Sequence, residues 1–152
     1  MTTTVDGVDA FHKLVGDHLG YSEWQPITQD RVNLFAEATD DHQWIHVDPE
    51  RAKSGPFGVA IAHGYLTLSL APVLLNKIIR VDNMKFGVNY GCNKVRFPSP
   101  VPVGSSIRAE ATLTDVRETP LGWLASVRVR IEVERQQKAA CIADTLGLYV
   151  GS

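Results

Sequence analysis

The stretch Ala38 to His46, ATDDHQWIH, gathers the residue types that proton chemistry needs. Carboxylates stand at Asp40 and Asp41 and imidazoles at His42 and His46, in a chain with five histidines altogether. A carboxylate and an imidazole that meet over one solvent molecule can take a proton from it and return one elsewhere. An acid/base pair, a metal site and a crowded polar loop are the competing readings, and for a lone Asp–His pair the loop is the simplest. Asp41 and His46 are five positions apart, so on a continuous helix they would point about 140° apart around the axis. The chain must therefore leave helical geometry near Asp40, and Asp tolerates the backbone angles that such an exit demands. His42 and His46 also have the i, i+4 spacing that suits zinc on a helix, with Asp41 and His63 as further ligands. The winding stops before them and no HExxH glutamate is present, so no metal is expected.

Further on, IAHGYL places Gly64 at the start of an apolar helix. The first N–H groups of a helix lack intrahelical partners and share the positive end of its dipole, so they can hold an oxygen that gains negative charge. A carboxylate, an imidazole and such a donor are the set needed to add water across a double bond conjugated to a carbonyl. Water loses a proton, the α-carbon gains one, and the carbonyl oxygen carries enolate charge in between.

Several elements must position these groups. Val8, Phe11, Leu14, Val15 and Leu19 recur at helical spacing, which predicts a helix over 7–19 ended by Gly20, with His12 and His18 on its surface. After the extended piece SEWQPI, Thr28 is a fitting N-cap and Asp30 suits the positive end of a helix with Val32, Phe35, Ala36 and Ala38 inward. Pro49 marks a helical turn at 49–53, and SGPFG is a loop by composition. From Ile61 to Ile79 the chain is apolar on nearly every face, as in a helix surrounded by protein, and Pro72 predicts a kink or break in it. Ser69, inside that helix, can bond its own backbone carbonyl.

Beyond residue 84 the period becomes two. Leu121, Trp123, Ala125, Val127, Val129, Ile131 and Val133 share one face of a strand, Ile107 to Leu113 repeat the pattern, and Ile142, Leu146, Leu148 and Val150 give a last strand interrupted by Asp144. In 84–97 the apolar phase slips, which predicts a bulge near Gly91, and PSPVPVG at 98–104 must cross between strands. Helices first, then long antiparallel strands, give an α+β fold with a curved sheet packed around the buried helix.

A chain of 152 residues with 44% hydrophobic content, 21% charge and a net charge of -2 fits one soluble domain, 1–152, without a basic field for nucleic acid. Cys92 and Cys141 form no CxxC pair, which fits a reducing cytoplasmic setting. The N-terminal residues lack a secretory pattern, and the longest apolar run is too short to span a bilayer, so no membrane partner is expected. GxSxG, P-loop and GxGxxG fingerprints are absent.

The chain from FAEATDDHQWIHVDPERA through PFGVAIAHGYLTLSL resembles the hydratase motif of MaoC-like and R-specific enoyl-CoA hydratases, roughly G-D-x-N-P-I-H followed by a phenylalanine loop and a His-Gly helix start. HQWIHVDPERA and NYGCNKVRFPSPVPVG are similar to the nodulation-protein-N-like branch. The resemblance implies a hot-dog fold, in which the sheet wraps the long helix, and a homodimer with the site near the subunit interface. It implies that Asp41 and His46 activate water, that the Gly64 N–H holds the thioester oxygen, and that an enoyl-CoA becomes an (R)-3-hydroxyacyl-CoA without a cofactor beyond the coenzyme A of the substrate. Gln43, Trp44, Phe57, His63 and Arg96 are the candidate substrate contacts. Packing is the simpler role for Trp44, a satisfied ring at a helix start for His63, and a solvated charge, with Lys94, for Arg96. The sequence departs from the motif at Asp40 for Gly, Gln43 for Asn and Trp44 for Pro. A non-catalytic acyl-CoA-binding protein is the alternative. A thioesterase ranks lower, because residues 65–79 hold no acidic residue.

Overall fold

The computed structural model describes residues 2–151. The chain opens with β1 (Thr3–Asp6) and α1 (Gly7–His12). The helix expected over 7–19 stops there: Gly16 turns the chain with φ 94°, and β2 (His18–Tyr21) follows, so His18 lies on a strand. After β3 (Gln25–Pro26), α2 (Gln29–Thr39) starts at Thr28, whose hydroxyl accepts from the Arg31 N–H at 3.1 Å. Val32 and Ala36 are buried and Phe35 packs on the core, whereas Ala38 is exposed. Two short helices follow, α3 (Trp44–Val47) and α4 (Pro49–Lys53), the second capped by Asp48 and opened by Pro49.

The apolar stretch is helical over 64–78 but in two pieces, α5 (Gly64–Ser69) and α6 (Ala71–Ile78). The break falls at Leu70, where Pro72 enters the first turn of α6, a place that does not need its missing N–H. Residues 60–63 are extended rather than helical, and the chain leaves α6 directly into β4 (Ile79–Asp82), parallel to β1. Ser69 donates its hydroxyl proton to the Tyr65 carbonyl at 2.6 Å, closing the polar group inside the helix.

The main sheet has six strands. β5 (Phe86–Arg96), β6 (Ser106–Thr119), β7 (Gly122–Val133) and β8 (Cys141–Val150) join β2 in the order β2-β6-β7-β8-β5, with β3 against β6. Register shifts at Asn89/Gly91, at Cys92/Lys94 and at Leu113/Asp115 bend it, the first of them at the bulge expected near Gly91. Leu66, Leu70, Leu74 and Ile78 pack into the inner face made by Ile107, Ala109, Ala111, Leu113, Val127, Val129 and Ile131. This is the curved sheet around a central helical stretch that the alternation predicts.

Two inward assignments on the strands do not hold. Leu121 stands 65% exposed at the hairpin tip, because the buried phase of β7 begins at Leu124 and Ala125. Ile142 faces outward, because Cys141 and Ala143 take the inward positions of β8. Among the described residues no helix is long and apolar enough to cross a membrane.

Candidate active site

Helix α2 ends on Asp40 in the left-handed conformation, φ 61° and ψ 24°. This is the exit from helical winding that a meeting of Asp41 with His46 requires. It also explains why Gly is usual at this place in the motif: a residue without Cβ enters that region without steric cost. The Asp40 side chain is 96% exposed and lies 3.4 Å from His42, which itself faces Glu37 at 3.6 Å. Asp40 and His42 thus form a surface pair.

Asp41 is held from below by the backbone. Its Oδ1 accepts from the Gln43 N–H at 3.4 Å, and the Gln43 side chain makes no capping bond, so the amide expected to support the pair is main chain. His46, in α3, is 7% exposed. Its Nδ1–H donates to the Ile61 carbonyl at 2.6 Å, because a carbonyl only accepts. The Ile61 N–H in turn donates to the Ile45 carbonyl at 3.0 Å, and the Gln29 amide donates to the His46 carbonyl at 2.7 Å. Nε2 is therefore the nitrogen free to exchange a proton. Burial holds the His46 imidazole below its ordinary pKa, opposed by the Ile61 carbonyl, reinforced by nearby His63 and opposed again by the Asp41 charge.

His63 is 3% exposed and precedes α5. Its Nε2–H donates to the Asp41 carbonyl at 3.0 Å. The ring lies between His46, with centroids 3.9 Å apart and planes 23° apart, and Phe35 at 4.9 Å. The satisfied ring expected for this residue is only half satisfied: Nδ1 is buried and has no hydrogen-bond partner among the described residues. Asp41, His46 and His63 each bring one ligand-capable atom within 4.8 Å of the others. His46 Nδ1 and His63 Nε2 are each committed to a backbone carbonyl, so each ring has one nitrogen left to offer.

Gly64 opens α5, where its N–H has no intrahelical carbonyl to reach. A Cβ at Gly64 would stand 3.2 Å from the Phe97 ring, so glycine lets that ring lie against the backbone. With six residues, α5 offers little dipole. Trp44 packs as a wall: Arg51 stacks over it at 4.2 Å, and a Cβ on Gly55 would meet it at 2.9 Å. Phe57 is 46% exposed on the 54–59 loop.

Arg96 is not brought to the pair. It lines a cleft of about 400 Å³ on the outer face of the sheet with Lys94, Arg128, Arg130, Glu110 and Asp144, while its neighbour Val95 packs on the core. Gln29, Phe35, the Ile61 carbonyl and Phe97 complete the surroundings; Phe35, Ile61 and Phe97 lie inside the stretches that carry the resemblance, but nothing in the sequence assigns them a place at the site.

Residues 10–137 match the MaoC like domain. The chain belongs to that family. The 3-hydroxyacyl-thioester dehydratase Z of Mycobacterium tuberculosis is 50% identical over 148 residues, 97% of this chain and 98% of the relative. Nodulation protein N of Rhizobium meliloti is 44% identical over 138 residues, covering 89% and 86% of the two chains. Among solved structures, the (R)-hydratase from Aeromonas caviae involved in PHA biosynthesis superposes with a TM-score of 0.72 at 26% identity, over 88% of this chain and 95% of that one. The hot-dog fold and the membership of this hydratase and dehydratase family are thereby established for the MaoC-like chain, and the nodulation-protein-N resemblance is upheld.

Proposed function

We propose that this MaoC-like protein is an (R)-specific hydro-lyase of acyl thioesters, interconverting a trans-2-enoyl-CoA and the (R)-3-hydroxyacyl-CoA. The reading rests on one observation: one carboxylate oxygen of Asp41 and one ring nitrogen each of His46 and His63 lie within 4.8 Å of one another, beside the first turn of α5. In the hydration direction the water oxygen bonds to the β-carbon. Asp41 and His46 Nε2 take one proton from the water and return one to the α-carbon. The electron pair of the double bond passes to the thioester oxygen, which the Gly64 N–H holds, and returns as the α-carbon is protonated. The mycobacterial relative is named for the reverse reaction of the same equilibrium, the dehydration of a 3-hydroxyacyl thioester.

Purified protein given crotonyl-CoA should bleach the absorbance of the conjugated thioester and yield the R product on chiral analysis. Asp41→Asn and His46→Gln should each abolish this, and full activity in both ends the proposal. Acyl-CoA binding without turnover over a panel of chain lengths would support the non-catalytic alternative instead, and release of free CoA thiol a thioesterase.

The same proposal includes a second copy of the chain. β5 pairs with β8 on one side and, among the described residues, with no strand on the other. Phe86, Val88 and Tyr90 stand 56%, 49% and 57% exposed along it, an open edge that a soluble protein normally covers. Sedimentation should report a dimer, and Val88→Lys with Tyr90→Lys should shift it to monomer.

A further inference from the structure

His63 has no part in the proton transfers above, yet it is the most buried polar side chain near them. It touches three separately positioned pieces of the site. Its Nε2–H bonds the carbonyl of Asp41, 22 residues earlier in the chain. One face of its ring lies on His46 and the other approaches Phe35 of α2. Its own carbonyl accepts from the N–H groups of Leu66 and Thr67 at 3.1 and 3.2 Å, which ties it to the first turn of α5. A buried imidazole nitrogen without a partner costs stability, since water solvates it in the unfolded chain. A phenyl ring would fill the same space between Phe35 and His46 without that cost, so packing alone does not account for histidine here.

The Nε2–H does account for it. Asp41 follows a residue in the left-handed conformation and is exposed, with the long 3.4 Å contact to the Gln43 N–H as the hydrogen bond to its carboxylate. A loop so built needs a fixed point, and the donor from His63 supplies one at the Asp41 main chain. We propose that His63 is a positioning residue that fixes the Asp41 loop through its Nε2–H and braces the His46 ring by stacking, so that acid and base keep one separation. The inference rests on the acid/base reading of Asp41 and His46, and reaction rates depend steeply on such geometry.

Two variants separate the two roles. His63→Phe keeps a flat ring against His46 and removes the donor, whereas His63→Gln puts an amide N–H near the place of Nε2. With crotonyl-CoA as the probe, His63→Phe should lower kcat by about 10- to 100-fold with KM within about twofold. His63→Gln should recover much of that loss. Wild-type kcat in His63→Phe or a change confined to KM would overturn the proposal.

A readout independent of turnover keeps this test distinct from that of the function. In ¹⁵N spectra of the imidazoles, His63 should carry its proton on Nε2, and hydrogen exchange of the amides from Asp41 to His46 should quicken in His63→Phe. A protein that shows both but hydrates no enoyl thioester sinks the assigned reaction and upholds the positioning. Unchanged exchange in a folded His63→Phe overturns the positioning whatever the activity.

Discussion

The left-handed Asp40 offers the sharpest test of how the site is built. Left-handed backbone costs an ordinary L residue about 1–2 kcal/mol, and more for a β-branched side chain, whereas Asp is among those that visit it. Its carboxylate is 96% exposed and faces the half-exposed His42, so removing it forfeits little. Asp40→Val should therefore lose about 1–2 kcal/mol, and at about 2–4 °C per kcal/mol for a chain of this size its melting temperature should fall by roughly 2–8 °C. Asp40→Gly relieves the same conformation but frees the unfolded chain by about 0.5–1 kcal/mol, so it should melt within a few degrees of the parent. The two effects on turnover should follow the backbone and not the charge. Asp40→Gly should hydrate crotonyl-CoA at close to the parental rate, and Asp40→Val should be slower because its strained turn re-aims Asp41. Thermal melts and initial rates on the three proteins decide the matter. A valine variant as stable and as active as the parent, or a glycine variant without activity, would refute the reasoning.

Other expectations are open to direct measurement. Because burial lowers the His46 pKa, the unfolded chain binds the extra proton first, so stability should decline as pH falls below about 6.5, and the acid limb of kcat/KM should lie below that value; a limb above it, with Asp41 and His63 both facing the ring, contradicts the assignment of His46 as the group that must be neutral. Gly55→Ala should destabilise by about 1–3 kcal/mol through the 2.9 Å approach to Trp44, and Trp44→Phe in the same chain should restore part of the loss in urea unfolding. Of the two thiols, Cys92 is exposed and Cys141 is buried with its pKa pushed up to about 11, so a thiol reagent should count one cysteine in the native protein and two after unfolding.

Local signals carried much of the architecture. The alternation in 123–133, the Thr28 cap, the Pro72 break and the turn out of helix at Asp40 all depend on residues within one turn or one strand, and each lies where the sequence puts it. The early end of α1 does not. Val8 to Leu19 fit a helix as well as they fit a turn and a strand, and the decision comes from β6, whose Thr112 and Ala111 pair with His18 and Gly20 nearly a hundred residues later. The parallel β1 and β4 pair is hidden for the same reason. At the site, the Asp41 and His46 pair was legible because the motif is contiguous. The stack of His63 on His46 was not, since it depends on the Ile61 N–H reaching the Ile45 carbonyl across a loop.

The crossover at 98–104 looks like a surface connection with freedom to drift. Yet Val101 accepts from the Ala62 N–H at 2.9 Å, Val103 donates to the Ala60 carbonyl at 2.8 Å, and Pro102 faces Ile61, whose carbonyl anchors the imidazole. This connection is a ruler for the base: adding or deleting one residue would displace the anchor and turn the histidine, so its length matters alongside the buried Val101 that pins it to the core.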